Sequence, residues 1–302
     1  MGEFPHCVGE FTHYGANVLL AICFGIATAL SNAVALLTQH LPQIPTDHHR
    51  SLGATFVYLA RQPLWLIGWL ALAGSLLCQS VALHFGPLSV VQPLLVTELV
   101  MALLLRRLWR RQRLSRRAWI SAAVTTLSLA AFLVLANPSG AQEPRHSLWL
   151  ATGSVTGTVI VACMVIGRRG SPTRRAASFA VATALSWAFE ATLIKQLGDQ
   201  WTQHGVVGVL SNWVLYVFVA VGLVGLFSEQ TALQAGPLGV SQPLIVIVDP
   251  LASMALGATL FAERFHGSGI TSTAALVALV ITGVSALVLM RATPEVVRIS
   301  HR

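Results

Sequence analysis

Apolar residues in this chain run in long unbroken blocks separated by short polar punctuation. The pattern shows neither the alternation of a half-buried strand nor the one-sided stripe of a soluble helix. Nine blocks approach or exceed the length of about 20 residues that crosses roughly 30 Å of hydrocarbon. They are residues 16–37, 63–85, 87–105, 118–135, 148–166, 176–194, 206–233, 238–261 and 270–289. Breaks between them are marked by Gly86-Pro87, by Asn137-Pro138-Ser139-Gly140, by residues 167–172 and by Gly236-Pro237. The longest connection, residues 40–62, contains the run SLGATFVY at 51–58, which either lies along the interface or extends the second span. The expected fold is all-α, a polytopic membrane bundle of nine helices, with residues 51–62 as the candidate for a tenth.

Composition narrows this picture. Charged residues make up 10% of 302 positions and hydrophobic residues 55%, against about a quarter charged in a soluble domain. The net charge of +8 does not point to nucleic acid, because the arginines sit at the ends of apolar runs, where headgroups are, and no basic face is interleaved with aromatics. Residues 106–117 alone hold seven arginines. With that loop in the cytoplasm, 16 Lys and Arg residues fall on the cytoplasmic side and three, Arg145, Lys195 and Arg264, on the other. The bias predicts a cell-membrane protein with its N-terminus outside and its C-terminus inside. The first basic residue is Arg50, so the first apolar run lacks the charged lead of a cleaved signal and reads as a retained span. Cys7, Cys23, Cys78 and Cys163 have no metal-ligand spacing, the ten histidines form no ligand motif, and His48-His49 reads as a solvated loop pair.

The chain repeats itself. ALHFGPLSVVQPLLV at 82–96 matches ALQAGPLGVSQPLIV at 232–246 in ten of fifteen positions, and FGIATALSNA at 24–33 matches FAVATALSWA at 179–188 in seven of ten. Span 1 therefore pairs with span 6, and spans 2–3 with spans 7–8. Five spans separate the partners, an odd number, so the second copy is expected upside down. The expected organisation is an extracytoplasmic segment at 1–15 and a membrane domain at 16–291, followed by a cytoplasmic tail at 292–302. Within the membrane domain, repeat A occupies 16–136, a linker span 148–166 and repeat B 176–290.

The stretch 235–287, with Pro250, Glu263, Arg264 and Gly283 in it, resembles the end of the second repeat in EamA-type members of the drug/metabolite transporter superfamily. Those proteins have a Pro-bearing helix, a Leu/Phe-x-x-Glu-Arg turn, and a last helix with Gly near its middle. The first half, through ARQPLWLIGW at 60–69 and the string from Phe85 to Leu94, is also similar to the NIPA-type magnesium transporter branch. The resemblance implies two inverted repeats and transport. The sequence departs from the EamA pattern in having nine spans where ten are usual, and in carrying Leu105-Arg106-Arg107 where the first copy would hold the Glu-Arg turn.

Ionisable groups inside spans are costly and face cavities or partners. Four acids qualify, Glu98, Glu190, Glu229 and Asp249, against the single base Lys195. Such an interior favours cations or protons over anions. Protonation is the readiest way to neutralise a carboxylate there. Glu98 and Asp249 are the leading candidates, one residue out of register on matching Pro-containing helices. Glu229 matches Gln79 in the other copy and so reads either as a charge site or as a hydrogen-bonding position. Glu190, five residues before Lys195, reads as a site or as that lysine's structural partner. Glu263 reads as an ion-paired turn at a membrane edge. Gln92-Pro93 and Gln242-Pro243 recur in both copies; each Pro frees a backbone carbonyl, which with Gln lines a polar path or simply makes a packing kink. Pro250 adds a third helix-break candidate. Asn32 and Trp187 are matched; the Trp either holds a cation or ring, or packs. Gly25, Gly68, Gly222, Gly225 and Gly257 read as close helix contacts.

These residues predict a secondary transporter that exports a small organic solute, proton-coupled, by alternating access. The alternative is a divalent-cation carrier of magnesium type, which requires its carboxylates clustered within a few ångströms. A membrane enzyme or lipid-handling protein ranks last, for want of a dense polar or metal-ligand cluster, so no enzymatic activity, no metal site and no cofactor are expected. The expected partners are the small-molecule or cation substrate, membrane lipid and a second copy of the chain as a homodimer candidate, with no nucleic acid.

Overall fold

The computed structural model describes residues 4–39, 62–110, 115–136, 138–139, 144–235, 238–265 and 269–292. The segment at 51–58, His48-His49 and the tail beyond 292 lie outside them, as do the side chains of Cys7, Gln242 and Pro243. The fold is all-helical save for one two-residue antiparallel pair. In chain order the helices are α1 (Phe4–Gln39), α2 (Pro63–Phe85), α3 (Leu88–Leu95), α4 (Thr97–Arg110) and α5 (Arg116–Ala136), then α6 (His146–Gly167), α7 (Pro172–Ser211), α8 (Trp213–Ala235), α9 (Leu238–Leu260) and α10 (Gly269–Ala292). Strands β1 (Pro138–Ser139) and β2 (Arg264–Phe265) pair with Pro138 opposite Phe265 and Ser139 opposite Arg264.

Among the described residues, eight helical stretches are long and apolar enough to cross a membrane, with α3 and α4 counting as one, from Leu88 to Leu105. The chain is therefore a multi-pass membrane protein. The described apolar stretch of α9, Leu244–Leu260, is shorter than the other eight. Large apolar side chains on many of the helices are exposed, Leu70, Leu77, Val134 and Val280 among them. On a membrane protein these are the side chains that meet lipid.

Three local outcomes differ from the apolar blocks. The block 206–233 does not form one helix. Gly205 adopts φ +62°, ψ −158°, kinking α7, and a short helical stretch from there to Ser211 precedes α8, whose first amides are met by Asn212 through a 3.0 Å bond from the Val214 N–H to Oδ1. Glycine is the residue that reaches this conformation without a Cβ clash. In the block 87–105 the helix tightens at Val96, one turn after Pro93, which removes a backbone donor: Val96 keeps helical dihedrals, but its N–H bonds the Pro93 carbonyl and the Leu99 N–H bonds its own, both in the i+3 pattern. Its counterpart α9 runs unbroken through Pro243 and Pro250. Helix α1 begins at Phe4, well before the first apolar block.

Helix α1 packs on α2, α3 and α4; α7 packs on α8, α9, α6 and α2; α5 packs on α10. The heart of the bundle is made by α3 and α7, and Leu88 to Leu94 are all buried. Small residues permit the close approaches: a Cβ on Gly25 would lie 2.6 Å from Leu94 Cδ2, and one on Gly225 would lie 3.2 Å from the Trp187 ring. The α5–α10 contact is polar at its centre, where Thr125 Oγ1 meets Ser285 Oγ at 2.9 Å and Ser128 Oγ meets Thr282 Oγ1 at 2.8 Å.

Candidate functional site

The carboxylates inside the bundle fall into two couples. Glu98 opens α4, its first turn following the tight turn at Val96. Asn32 on α1 hydrogen-bonds its carboxylate, and Ser75 Oγ on α2 in turn donates to Asn32 Oδ1 at 2.5 Å. A polar chain Ser75–Asn32–Glu98 thus joins α2, α1 and α4. Glu229 on α8 lies within electrostatic range of Glu98. The second couple is Glu190 on α7 and Asp249 on α9, again within electrostatic range. Asp249 Oδ1 accepts from Ser253 Oγ at 3.2 Å. Glu190 lies against Gly222 of α8, where an added Cβ would come within 3.0 Å of Oε1.

Glu98 and Glu229 belong to different sequence copies, so one couple spans the two halves, whereas Glu190 and Asp249 both come from the second. Among the described residues no three His, Cys, Asp or Glu side chains come close enough to share a metal ion. Gln92 is buried, and its Nε2 finds no partner among the described residues. Ser228 and Ser241 hydroxyls are likewise buried and unpartnered. Buried donors in this state call for water or a polar solute beside them. Gln79 is half-buried on α2, and Trp187 packs over Gly225. Gln242 and Pro243 take part in the α9 helix, but their side chains are outside those described.

A second polar cluster sits where α2, α7 and α9 end and α3, α6 and α8 begin. Lys195 does not pair with Glu190, as the local spacing allowed; it reaches Glu263 Oε1 at 3.6 Å, with both side chains buried. The i+5 offset turns Glu190 and Lys195 to different faces of α7. Glu263 does not pair with its neighbour Arg264 in this cluster. It accepts from the Leu88 N–H at 2.6 Å, the Ser89 N–H at 3.0 Å and Ser89 Oγ at 2.5 Å. Helix α3 follows Pro87, which offers no side-chain cap, and the carboxylate satisfies the orphan amides and meets the positive end of the helix dipole. Lys195 Nζ also donates to the Gly86 carbonyl at 3.3 Å and lies 4.7 Å from the Phe261 ring centroid. Phe261 is one of three aromatics set edge-on around Trp149, with Phe189 and Trp213.

The turn that delivers Glu263 is unusual. Ala262 takes φ +52°, a left-handed conformation that a Cβ disfavours. The Glu263 amide then folds back to the Gly257 carbonyl at 3.2 Å. A Cβ on Gly257 would collide with the Glu263 carboxylate, so this glycine makes room for a side chain of its own copy rather than for another helix. Close by, His84 Nδ1 and Asp199 Oδ1 lie 3.0 Å apart, linking α2 to α7. Sequence reasoning missed Ser75, Ser253 and the role of Glu263. The available signal for the last was a helix start at Pro87 with no local capping residue.

Over 250 residues the chain is 28% identical to an uncharacterised protein of Corynebacterium glutamicum, a match covering 82% of this chain and 86% of the relative. No protein-family profile matches the chain. No solved structure matches it either.

Proposed function

We propose that this protein is a secondary transporter of a small organic solute, exported by alternating access and coupled to protons, with the build of the drug/metabolite transporter superfamily that its sequence resembles. The observation that carries the reading is the set of four acids, Glu98, Glu190, Glu229 and Asp249, on spans of both halves, while the one interior base is engaged elsewhere by Glu263. Like charges that near each other in low dielectric cannot all stay ionised, and a proton or a cationic solute relieves them. The unpartnered Gln92, Ser228 and Ser241 add donors for a polar solute.

The transporter is read as nine spans in two inverted halves, with the N-terminus outside. Matched positions behave alike, which supports this. Thr28 and Thr183 are both buried and bond back to Phe24 and Phe179 carbonyls at 2.8 and 2.9 Å. Gly25 approaches Leu94, and Leu244 packs against the cluster that holds Ala180. Helix pairs α1·α2 and α7·α8 correspond, and α5·α10 would pair across the axis itself. Contacts such as β1 with β2 and His84 with Asp199 join ends that the nine-span alternation puts on one side. A magnesium carrier is the lesser reading, because the acids stand in couples and not in one oxygen cluster.

The test is flux in proteoliposomes against a panel of amines, neutral metabolites and Mg²⁺, with and without a pH gradient. Gradient-dependent movement of an organic solute is expected. Mg²⁺ flux alone would favour the cation carrier, and no flux of any kind would remove the reading.

A further inference from the structure

The coupling proposed above makes no use of Lys195 and Glu263, yet these two hold the start of α3 from the opposite half of the molecule. Resting on the transport reading, we propose that the Lys195–Glu263 pair is a latch and α3 the gate it holds shut across one end of the bundle.

Helix α3 is built as a separate arm. It is eight residues long, bounded by Pro87 on one side and by the tight turn at Val96 on the other, with Pro93 loosening the helix just before it. The matching stretch of α9 has no such turn. The polar groups that fasten the start of the arm come from the second half, against whose α9 the arm also packs. Lys195 holds the carbonyl of Gly86 before the proline, and Glu263 holds the amides of Leu88 and Ser89 after it. A Ser or Asp at position 87 would cap α3 locally, without crossing to the other half. The chain instead recruits a carboxylate 175 residues away, sets Ala262 in a disfavoured conformation to aim it, and keeps Gly257 bare beneath it.

The arm also closes something. Leu88 and Val91 pack in one cluster with Trp149, Phe189 and Phe261, and this apolar plug fills the end of the bundle. A solute leaving by that end requires the plug to part. Of the elements in it, α3 is the one bounded by Pro87 at its start and by a tight turn of i+3 bonds, Val96 to Pro93 and Leu99 to Val96, at its end, and these are the two places at which it can hinge. At the same end β1 pairs with β2, which follows Glu263 directly, and between α5 and α10 the hydroxyl pairs tie the two halves together, a part of the molecule for the arm to move against. Release is all-or-none in character, because separating one buried partner leaves the other charge uncompensated. Both charges must rehydrate together as the arm lifts.

The test uses the full chain in detergent on a cysteine-free background, with Val91→Cys as the reporter and a water-soluble maleimide as the probe. Leu129→Cys on α5 is the control. In the latched protein the reporter, fully buried at 0% exposure, labels slowly. Glu263→Gln and Lys195→Met are each expected to raise its rate about tenfold, the scale of a local opening freed of one charge-assisted bond, with the control unchanged. Should Glu263→Gln fail to give monodisperse protein, Ser89→Ala deletes one of the three bonds, keeps both charges, and is expected to raise the rate about threefold. An unchanged reporter rate in these variants overturns the latch. So does an equal rise at the control, which marks general loosening by the loss of a structural staple. Labelling needs no substrate, so the two readings fail separately. A specific rise with no flux keeps the arm and removes transport, while flux with no rise does the reverse.

Discussion

Ser128 Oγ and Thr282 Oγ1 hydrogen-bond at 2.8 Å across the α5–α10 contact, and one turn away Thr125 and Ser285 repeat the bond with the residue types exchanged. A Thr-x-x-Ser on each helix meets a Ser-x-x-Thr read backwards on the other. Such reciprocal pairing, where i meets j and j meets i, is what a two-fold axis between antiparallel elements produces.

The reciprocity has an energetic consequence. Each hydroxyl also has a carbonyl of its own helix within reach, Ser128 that of Val124, Thr282 that of Ala278, Thr125 that of Ser121 and Ser285 that of Thr282; with one proton each, one member of a pair donates across while the other donates to its own carbonyl. A released hydroxyl therefore keeps a partner, and the interhelical term is small. Double-mutant cycles with Ser128→Ala and Thr282→Val, and with Thr125→Val and Ser285→Ala, are expected to give similar couplings of about 0.6 kcal/mol. Reversible unfolding in mixed micelles measures them. Couplings of opposite sign at the two pairs would contradict the two-fold reading.

The turn at the end of α9 predicts opposite signs at neighbouring positions. Gly257→Ala puts a methyl into the Glu263 carboxylate and is expected to lower stability by about 1–3 kcal/mol. Ala262→Gly relieves the left-handed residue and is expected to be neutral or stabilising by up to about 1 kcal/mol. Thermal unfolding of both variants checks the contrast. A neutral Gly257→Ala would mean that the carboxylate does not occupy this place.

Orientation is open to direct labelling. Single cysteines at Ser139 and Ser171 are expected to react from the outside and the inside respectively, following the arginine bias. Ser139 pairs with Arg264, so a thiol at 264 must label from the same face as one at 139, whichever face that is. Labelling of positions 139 and 171 from one face would break the alternation of spans.

Much of the fold was legible because a bilayer enforces it: apolar runs of spanning length need no tertiary information. The repeat was legible through Gly86-Pro87 and Gln92-Pro93, whose matches at 236–237 and 242–243 survive against an apolar background. The break at Gly205 was hidden because Val206 to Leu210 is as apolar as the helix that follows. The candidate acids could be counted but not paired. Pairing depends on how helices rotate against one another, and so Glu98 bonds Asn32 and lies within electrostatic range of Glu229, while Asp249 lies within that range of Glu190. Lys195 illustrates the same limit. Its neighbour in sequence, Glu190, faces Gly222, and its partner lies 68 residues further on.

The central claim is that the interior acids couple solute movement to protons, and Glu98 and Asp249 test it most directly. Glu98→Gln and Asp249→Asn keep shape and remove the titrating charge, and the loss of Asn32 and Ser253 contacts is minimal because an amide oxygen still accepts. In proteoliposomes, with the substrate found by the flux panel, either variant is expected to lose accumulation driven by a pH gradient. Exchange of labelled for unlabelled substrate, a half-cycle without net proton movement, is expected to persist. Gradient-driven accumulation at the parent's rate in both variants would contradict the account and leave these carboxylates with a purely structural role.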